Sequence, residues 1–177
     1  MNKIILLVVA LLFLSGCSGL AVMKSTERVS HVDSHQSLAN FVRPHILFGD
    51  GLVFEVWDGS DLVGTLESGA MIQYVTLPGE HKFMIYPSTQ EKQRWGYKKI
   101  NLEAGEIYYL KPNTQPYTGL TIGVADSTDK RIVKWNNSLT PMTVDKNKSK
   151  SVPQKNIEEV KIKFEEFEEL SARYGRE

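Results

Sequence analysis

Between residues 38 and 126 apolar and polar positions alternate in short runs, each closed by residues suited to turns. Eight runs stand out, at 38–43, 52–57, 62–66, 70–77, 81–86, 95–102, 107–111 and 120–125. Between them lie Phe48-Gly49-Asp50-Gly51, Asp58-Gly59-Ser60-Asp61, Glu67-Ser68-Gly69, Leu77-Pro78-Gly79, Tyr86-Pro87-Ser88 and Glu103-Ala104-Gly105. Period-two alternation places alternate side chains on one face of a strand, and glycine and proline supply the backbone angles that turns demand. Short strands at near-regular spacing with no amphipathic helix between them predict a mainly β fold, an antiparallel β-sandwich of seven to eight strands. The apolar faces nominate Phe54, Val56, Val75, Phe83, Ile85, Ile100, Leu102, Tyr109 and Ile122 as core.

The period changes near the C-terminus. Ile157, Val160, Phe164, Phe167, Leu170 and Tyr174 recur at spacings of three and four, which predicts an amphipathic helix over 156–177. Asn156 with Glu159 forms a capping box, and Gly175 suits the stop. This stripe can dock on its own domain, or it can engage a partner or a second copy. Residues 136–155 are polar, with Lys146, Lys148, Lys150 and Lys155, and read as a linker whose lysines are solvated or touch anionic lipid or a partner. Residues 17–37 hold few large apolar groups and read as a tether, whose 20 or so residues would span roughly 25 Å. The sandwich domain is thereby expected at 38–135.

The first residues follow neither period. Met-Asn-Lys precedes an unbroken apolar run, Ile4 to Leu14, and then Ser15-Gly16-Cys17. That run is too short for the roughly 17–25 residues of a membrane-spanning helix, and its basic start and small-residue end make 1–16 a cleavable signal peptide. Leu14-Ser15-Gly16-Cys17 resembles the lipobox of bacterial lipoproteins. The resemblance implies that Cys17 becomes the acylated first residue of the mature chain, with membrane lipid as its partner. Two or more acyl chains anchor stably where one does not. In such lipoproteins Asp after the cysteine commonly retains the protein in the inner membrane. Ser18 therefore implies the outer membrane, periplasmic side.

Cys17 is the only cysteine of the 177 residues, so no internal disulfide can staple the exported chain. Lys plus Arg and Asp plus Glu both number 21, and removing 1–16 takes away only Lys3. Bulk charge accordingly recruits no nucleic acid.

A second resemblance runs from Asn40-Phe41-Val42-Arg43-Pro44 to Tyr109. Phe41-Val42-Arg43-Pro44, Val56-Trp57-Asp58-Gly59, Val63-Gly64-Thr65-Leu66, Ser68-Gly69-Ala70, Leu77-Pro78-Gly79-Glu80-His81 and Ala104-Gly105-Glu106-Ile107-Tyr108-Tyr109-Leu110 follow one another. In this order they are similar to bacterial lipoproteins carrying an uncharacterised prealbumin-like (PEGA-like) β-sandwich domain. That likeness covers about half the chain and implies a fold and a location, not an activity.

No glycine-rich phosphate loop, His-Glu-x-x-His, Gly-x-Ser-x-Gly or cysteine cluster occurs. A dispersed Ser/His/Asp set is recognised only by geometry. His31 and His35 could share a metal-binding face only on a helix, and are expected to be exposed in the tether. His45 is expected in a loop, and His81 as a hydrogen-bonded core or rim residue rather than a catalytic base. Arg43 reads as a buried strand-end charge with a carboxylate partner, with ligand contact the alternative. Trp57, Trp95, Trp135, Tyr97 and Tyr117 read as packing, with a glycan platform the alternative. The chain is thus expected to be a membrane-anchored envelope lipoprotein, a non-catalytic structural or interaction module with a protein partner, no cofactor and no metal. A peptidoglycan- or small-ligand-binding module and an envelope hydrolase are the competing readings.

Overall fold

The computed structural model describes residues 20–45, 51–88, 95–115 and 119–174. The expected signal peptide, Cys17, Phe48-Gly49-Asp50, Tyr117, the Tyr174 side chain and Gly175 lie outside the described residues. The elements are β1 (Met23–Ser25), β2 (Ser37–Arg43), β3 (Phe54–Asp58), β4 (Asp61–Leu66), β5 (Ala70–Thr76), β6 (Gly79–Pro87), β7 (Gly96–Leu102), β8 (Ile107–Gln115), β9 (Gly119–Ala125), α1 (Arg131–Ser138), β10 (Thr140–Val144) and α2 (Gln154–Tyr174). Each of the eight expected runs contains a strand with ends displaced by two residues or fewer, except β8, which continues to Gln115.

Two sheets result, one of six strands in the order β1-β10-β5-β2-β8-β9 and one of four, β4-β3-β6-β7. The first is mixed rather than antiparallel, because β10 runs parallel to β5 and β2 parallel to β8. Alternation specifies which face of a strand is buried; it says nothing of which strand lies alongside. Phe41 and Ile72 from the first sheet meet Phe54, Val56, Phe83 and Ile85 from the second in one core, where the rings of Phe41 and Phe83 cross edge-on at 5.0 Å. Gly59, at φ +55°, opens the two-residue β3–β4 turn, a position that requires the left-handed region.

Both sheets are covered on their outer faces as well. Over the six-stranded sheet lies α1, whose Trp135, with the following Leu139, packs on Val42 and Met71. Over the four-stranded sheet lies α2, whose Val160 and Phe164 bury Trp57, Met84 and Tyr86. The C-terminal stripe therefore docks on its own domain. Its helix begins at Gln154, after Pro153, so Asn156 lies inside the first turn instead of capping it. Leu170 is half exposed, at 49%.

Two segments expected to be flexible are structural. Residues 20–37 are bound along the body: β1 pairs with β10, Val32 is buried, and the Gln73 side chain mimics a strand partner for Val29. Gln73 Oε1 accepts the Val29 N–H at 2.9 Å, while its Nε2 donates to the Val29 carbonyl at 2.9 Å and to Asn40 Oδ1 at 3.1 Å. The segment is held both by its own scattered apolar side chains, Leu20, Ala21, Met23 and Val32, and by hydrogen bonds from side chains of the body. The expected linker likewise contains the end of α1, all of β10 and the start of α2. Pro141 argues against a central strand, yet its missing N–H is tolerated while its carbonyl accepts from Thr26 N at 3.0 Å.

Of the nine expected core residues, Phe54, Val56, Phe83, Ile85, Leu102 and Ile122 are buried between the sheets, and Ile100 packs partly buried against them. Val75 is 39% exposed, since it points outward at the far end of β5. Tyr109 also points outward, onto α1, where its hydroxyl accepts from Asn136 Nδ2 at 2.9 Å.

Candidate functional site

Polar side chains with unusual surroundings gather at four places. On the rim of the sandwich, adjacent strands β3 and β6 bring Asp58 and His81 together, with His81 Nδ1 2.6 Å from Asp58 Oδ2. The other ring nitrogen lies 2.9 Å from the Leu77 carbonyl oxygen, and the ring stacks on Phe83 at 5.5 Å. Tyr74 completes the group by donating its hydroxyl to the same Asp58 oxygen at 3.1 Å. Burial, followed by the Asp58 charge and hydrogen bond, raises the Tyr74 hydroxyl above the usual phenol range despite an opposing contact from Thr76. Both His81 nitrogens thus face fixed acceptors, the arrangement of a hydrogen-bonded rim histidine.

The second place was not legible beforehand. Glu55 lies on the outward face of β3 and is 5% exposed beneath α2. It accepts hydrogen bonds from the Tyr86 hydroxyl and, at 3.3 Å, from Trp57 Nε1. Burial and then the Glu55 hydrogen bond hold the Tyr86 hydroxyl far above the ordinary phenol range. The face formed by Val53, Glu55 and Trp57 mixes apolar and charged residues, so alternation alone does not place it; the signal is the complementary apolar stripe of the C-terminal helix.

Third, Ser68 Oγ lies 3.1 Å from His45 Nδ1 on the surface. A hydroxyl beside an imidazole supplies the first two members of an activated nucleophile. Gly69 makes this approach possible, because a Cβ there would meet His45 Nε2 at 2.3 Å.

Fourth is the point where the chain emerges after its lipobox. Leu20 packs on the cluster beneath α2, and the buried Ala21 accepts from Thr65 Oγ1 at 3.3 Å. Val22 donates to Ser149 Oγ at 3.0 Å, and its carbonyl accepts from Asp145 N at 2.8 Å. A Cβ on Gly64 would strike Met23 at 2.9 Å, so the glycine lets this segment lie flat on β4.

The remaining expected site residues are dispersed. His31 and His35 are exposed and lie outside any helix. Arg43 is 5% exposed; it donates to the carbonyls of Leu52 and, at 3.1 Å, Leu66, and its guanidinium lies 4.5 Å from the centre of the Phe54 ring. Trp57 and Trp95 are buried on the α2 side, whereas Trp135 is buried under α1, so the three form no common platform. Tyr97 stacks on Phe167 of α2 at 5.3 Å. A recess of about 190 Å³ beside Trp95, Lys163, Phe167 and Leu170 is smaller than the 300–1,000 Å³ of typical ligand pockets. Among the described residues, no three His, Cys, Asp or Glu side chains converge as a metal site.

No curated protein and no solved structure matches the chain. Residues 1–18 match the family model of the prokaryotic membrane lipoprotein lipid attachment site. The match contains the chain's single cysteine, Cys17, and supports a bacterial lipoprotein held to a membrane through an acylated cysteine.

Proposed function

We propose that this protein is a non-catalytic interaction module of the cell envelope, lipid-anchored through Cys17 on the periplasmic side of the outer membrane. The lipid attachment match over residues 1–18 supports the anchoring on which this reading is built. Ser18 in place of Asp favours the outer over the inner membrane. The order of motifs from Phe41 to Leu110 supports a prealbumin-like (PEGA-like) identity for the sandwich.

An interaction role draws support from the edge strand β9. Its seven residues, Gly119 to Ala125, contain neither charge nor proline, and it forms an outer edge of the six-stranded sheet. Other edges are guarded: β4 is overlain by Ala21 and Met23, β7 carries Lys98 and Lys99, and β1 is three residues long with Lys24. The start of β9 lies against β7, where the Leu120 carbonyl oxygen would stand 3.2 Å from a Cβ on Gly96, so the main-chain groups offered to an incoming strand are those beyond Leu120.

A photo-crosslinking residue at Thr121, with one at Lys99 as control, tests this in intact cells. A discrete adduct with an envelope protein from position 121 alone is expected. Equal or absent crosslinking contradicts the interaction role. Ester or amide turnover abolished by Ser68→Ala contradicts the non-catalytic assignment.

A further inference from the structure

We propose that the exposed lysines of the 145–155 segment form a contact surface for anionic phospholipid headgroups, seating the sandwich directly on the bilayer that holds its lipid anchor. The proposal rests on acylation of Cys17 and goes beyond it by assigning the body an orientation.

Chain length sets the geometry. Only Ser18 and Gly19 separate Cys17 from Leu20, which is packed on the domain. Three residue steps reach at most about 11 Å, less than half the span of a free 20-residue tether. Cys17 therefore holds the Leu20 side of the body against the headgroups. At that place the chain meets a segment more than 120 residues away. Val22 is hydrogen-bonded to Ser149 and Asp145, and Val152 joins Leu20 in the same apolar cluster. Lys148 and Lys150 flank Ser149, with Lys146 and Lys155 nearby, and all four are exposed.

The local charge fits. Within 145–155 the single acid is Asp145, which is 7% exposed, accepts from Asn147 N at 3.2 Å and lies 3.9 Å from Lys148 Nζ. Glu158 and Glu159 come only with the second turn of α2. A chain of balanced charge thus carries a local excess of four lysines over one acid beside its lipid. Charges within about 8–10 Å of an anionic surface are little screened, and each lysine there shifts occupancy of the surface-bound form about fivefold.

The test uses the mature acylated protein on vesicles of phosphatidylcholine alone and of phosphatidylcholine with phosphatidylglycerol. Labelling of lysine amines by a water-soluble reagent is followed residue by residue by mass spectrometry. Lys130 and Lys134 are controls, since the length of β10, about 16 Å, separates α1 from the segment. On anionic vesicles the four lysines are expected to label about fivefold more slowly than on neutral ones. The difference should vanish near 1 M salt, where the Debye length is about 3 Å, while the protein still floats with the vesicles. In a variant with Lys146, Lys148, Lys150 and Lys155 all changed to Gln, the control lysines should label as before and its circular dichroism should be unchanged. Equal rates on both vesicles overturn the proposal. Protection found only in native envelopes also overturns it, in favour of a protein partner. Failure to float on either vesicle overturns the anchoring itself and the proposal with it.

Discussion

Replacing Phe164 by alanine tests whether α2 is an integral layer or a loosely attached appendage. Phe164 is 7% exposed, packs among Trp57, Met84, Tyr86 and Val160, and meets the Tyr97 ring edge-on at 5.8 Å. Truncating a buried phenylalanine costs about 3–5 kcal/mol. Because Phe164 sits between a helix and a sheet that can close partly over the gap, the lower end, about 3 kcal/mol, is expected. Loss of the edge-on ring contact lies within that figure. Ile162, on the same helix but 55% exposed, is the control, with an Ile162→Ala effect within about 0.5 kcal/mol. Urea unfolding followed by tryptophan fluorescence is the assay, since Trp57 and Trp95 lie beneath α2. A lowered midpoint with an unchanged slope would show one cooperative unit. A Phe164→Ala loss below about 1 kcal/mol, equal to the Ile162→Ala loss, would refute a helix that stabilises the fold.

Three other perturbations probe separate parts of the structure. Gln73→Ala removes three hydrogen bonds to Val29 and Asn40, so a loss of about 1–3 kcal/mol and faster amide exchange in residues 26–32 are expected. Gly69→Ala places a Cβ against His45 at φ +77°, and about 1–2 kcal/mol of left-handed strain should lower Tm, whereas Gly51→Ala, in open space, should not. Alkaline pH should destabilise the fold through Tyr86, because its folded pKa lies above the unfolded value near 10. The unfolded chain then ionises first, so stability is full below pH about 10 and falls above it, by about 1.4 kcal/mol per pH unit for one such tyrosine. Tyr86→Phe should flatten that slope in chemical unfolding measured from pH 9 upward.

The sandwich was legible because each of its eight main strands carries its own alternation and is closed by its own turn. The three missed elements are short and depend on distant partners. Met23–Ser25 is a strand because Met142–Val144 lies beside it. Residues 140–144 hold a proline and acquire their place from β5. The eight-residue α1 did leave a trace, Ile132, Trp135 and Leu139 at spacings of three and four, which the polar residues around them obscured. The same dependence on distant partners hid the site chemistry. Glu55 is buried only because a helix begun about a hundred residues later lies over it, and Ser68 meets His45 only because Gly69 gives room. The apparent tether was misread for the converse reason, since Gln73, Thr65 and Ser149 hold it with hydrogen bonds that hydropathy does not register.

The protein's place on a membrane depends on the covalent state of one sulfur, that of Cys17. Mass spectrometry of the N-terminal peptide from the mature protein purified from membranes tests it directly. The predicted result is a chain beginning at Cys17, with a thioether-linked diacylglyceryl group and an acylated amino terminus. A mature chain that starts elsewhere, or that begins at Cys17 with a free thiol, would contradict it.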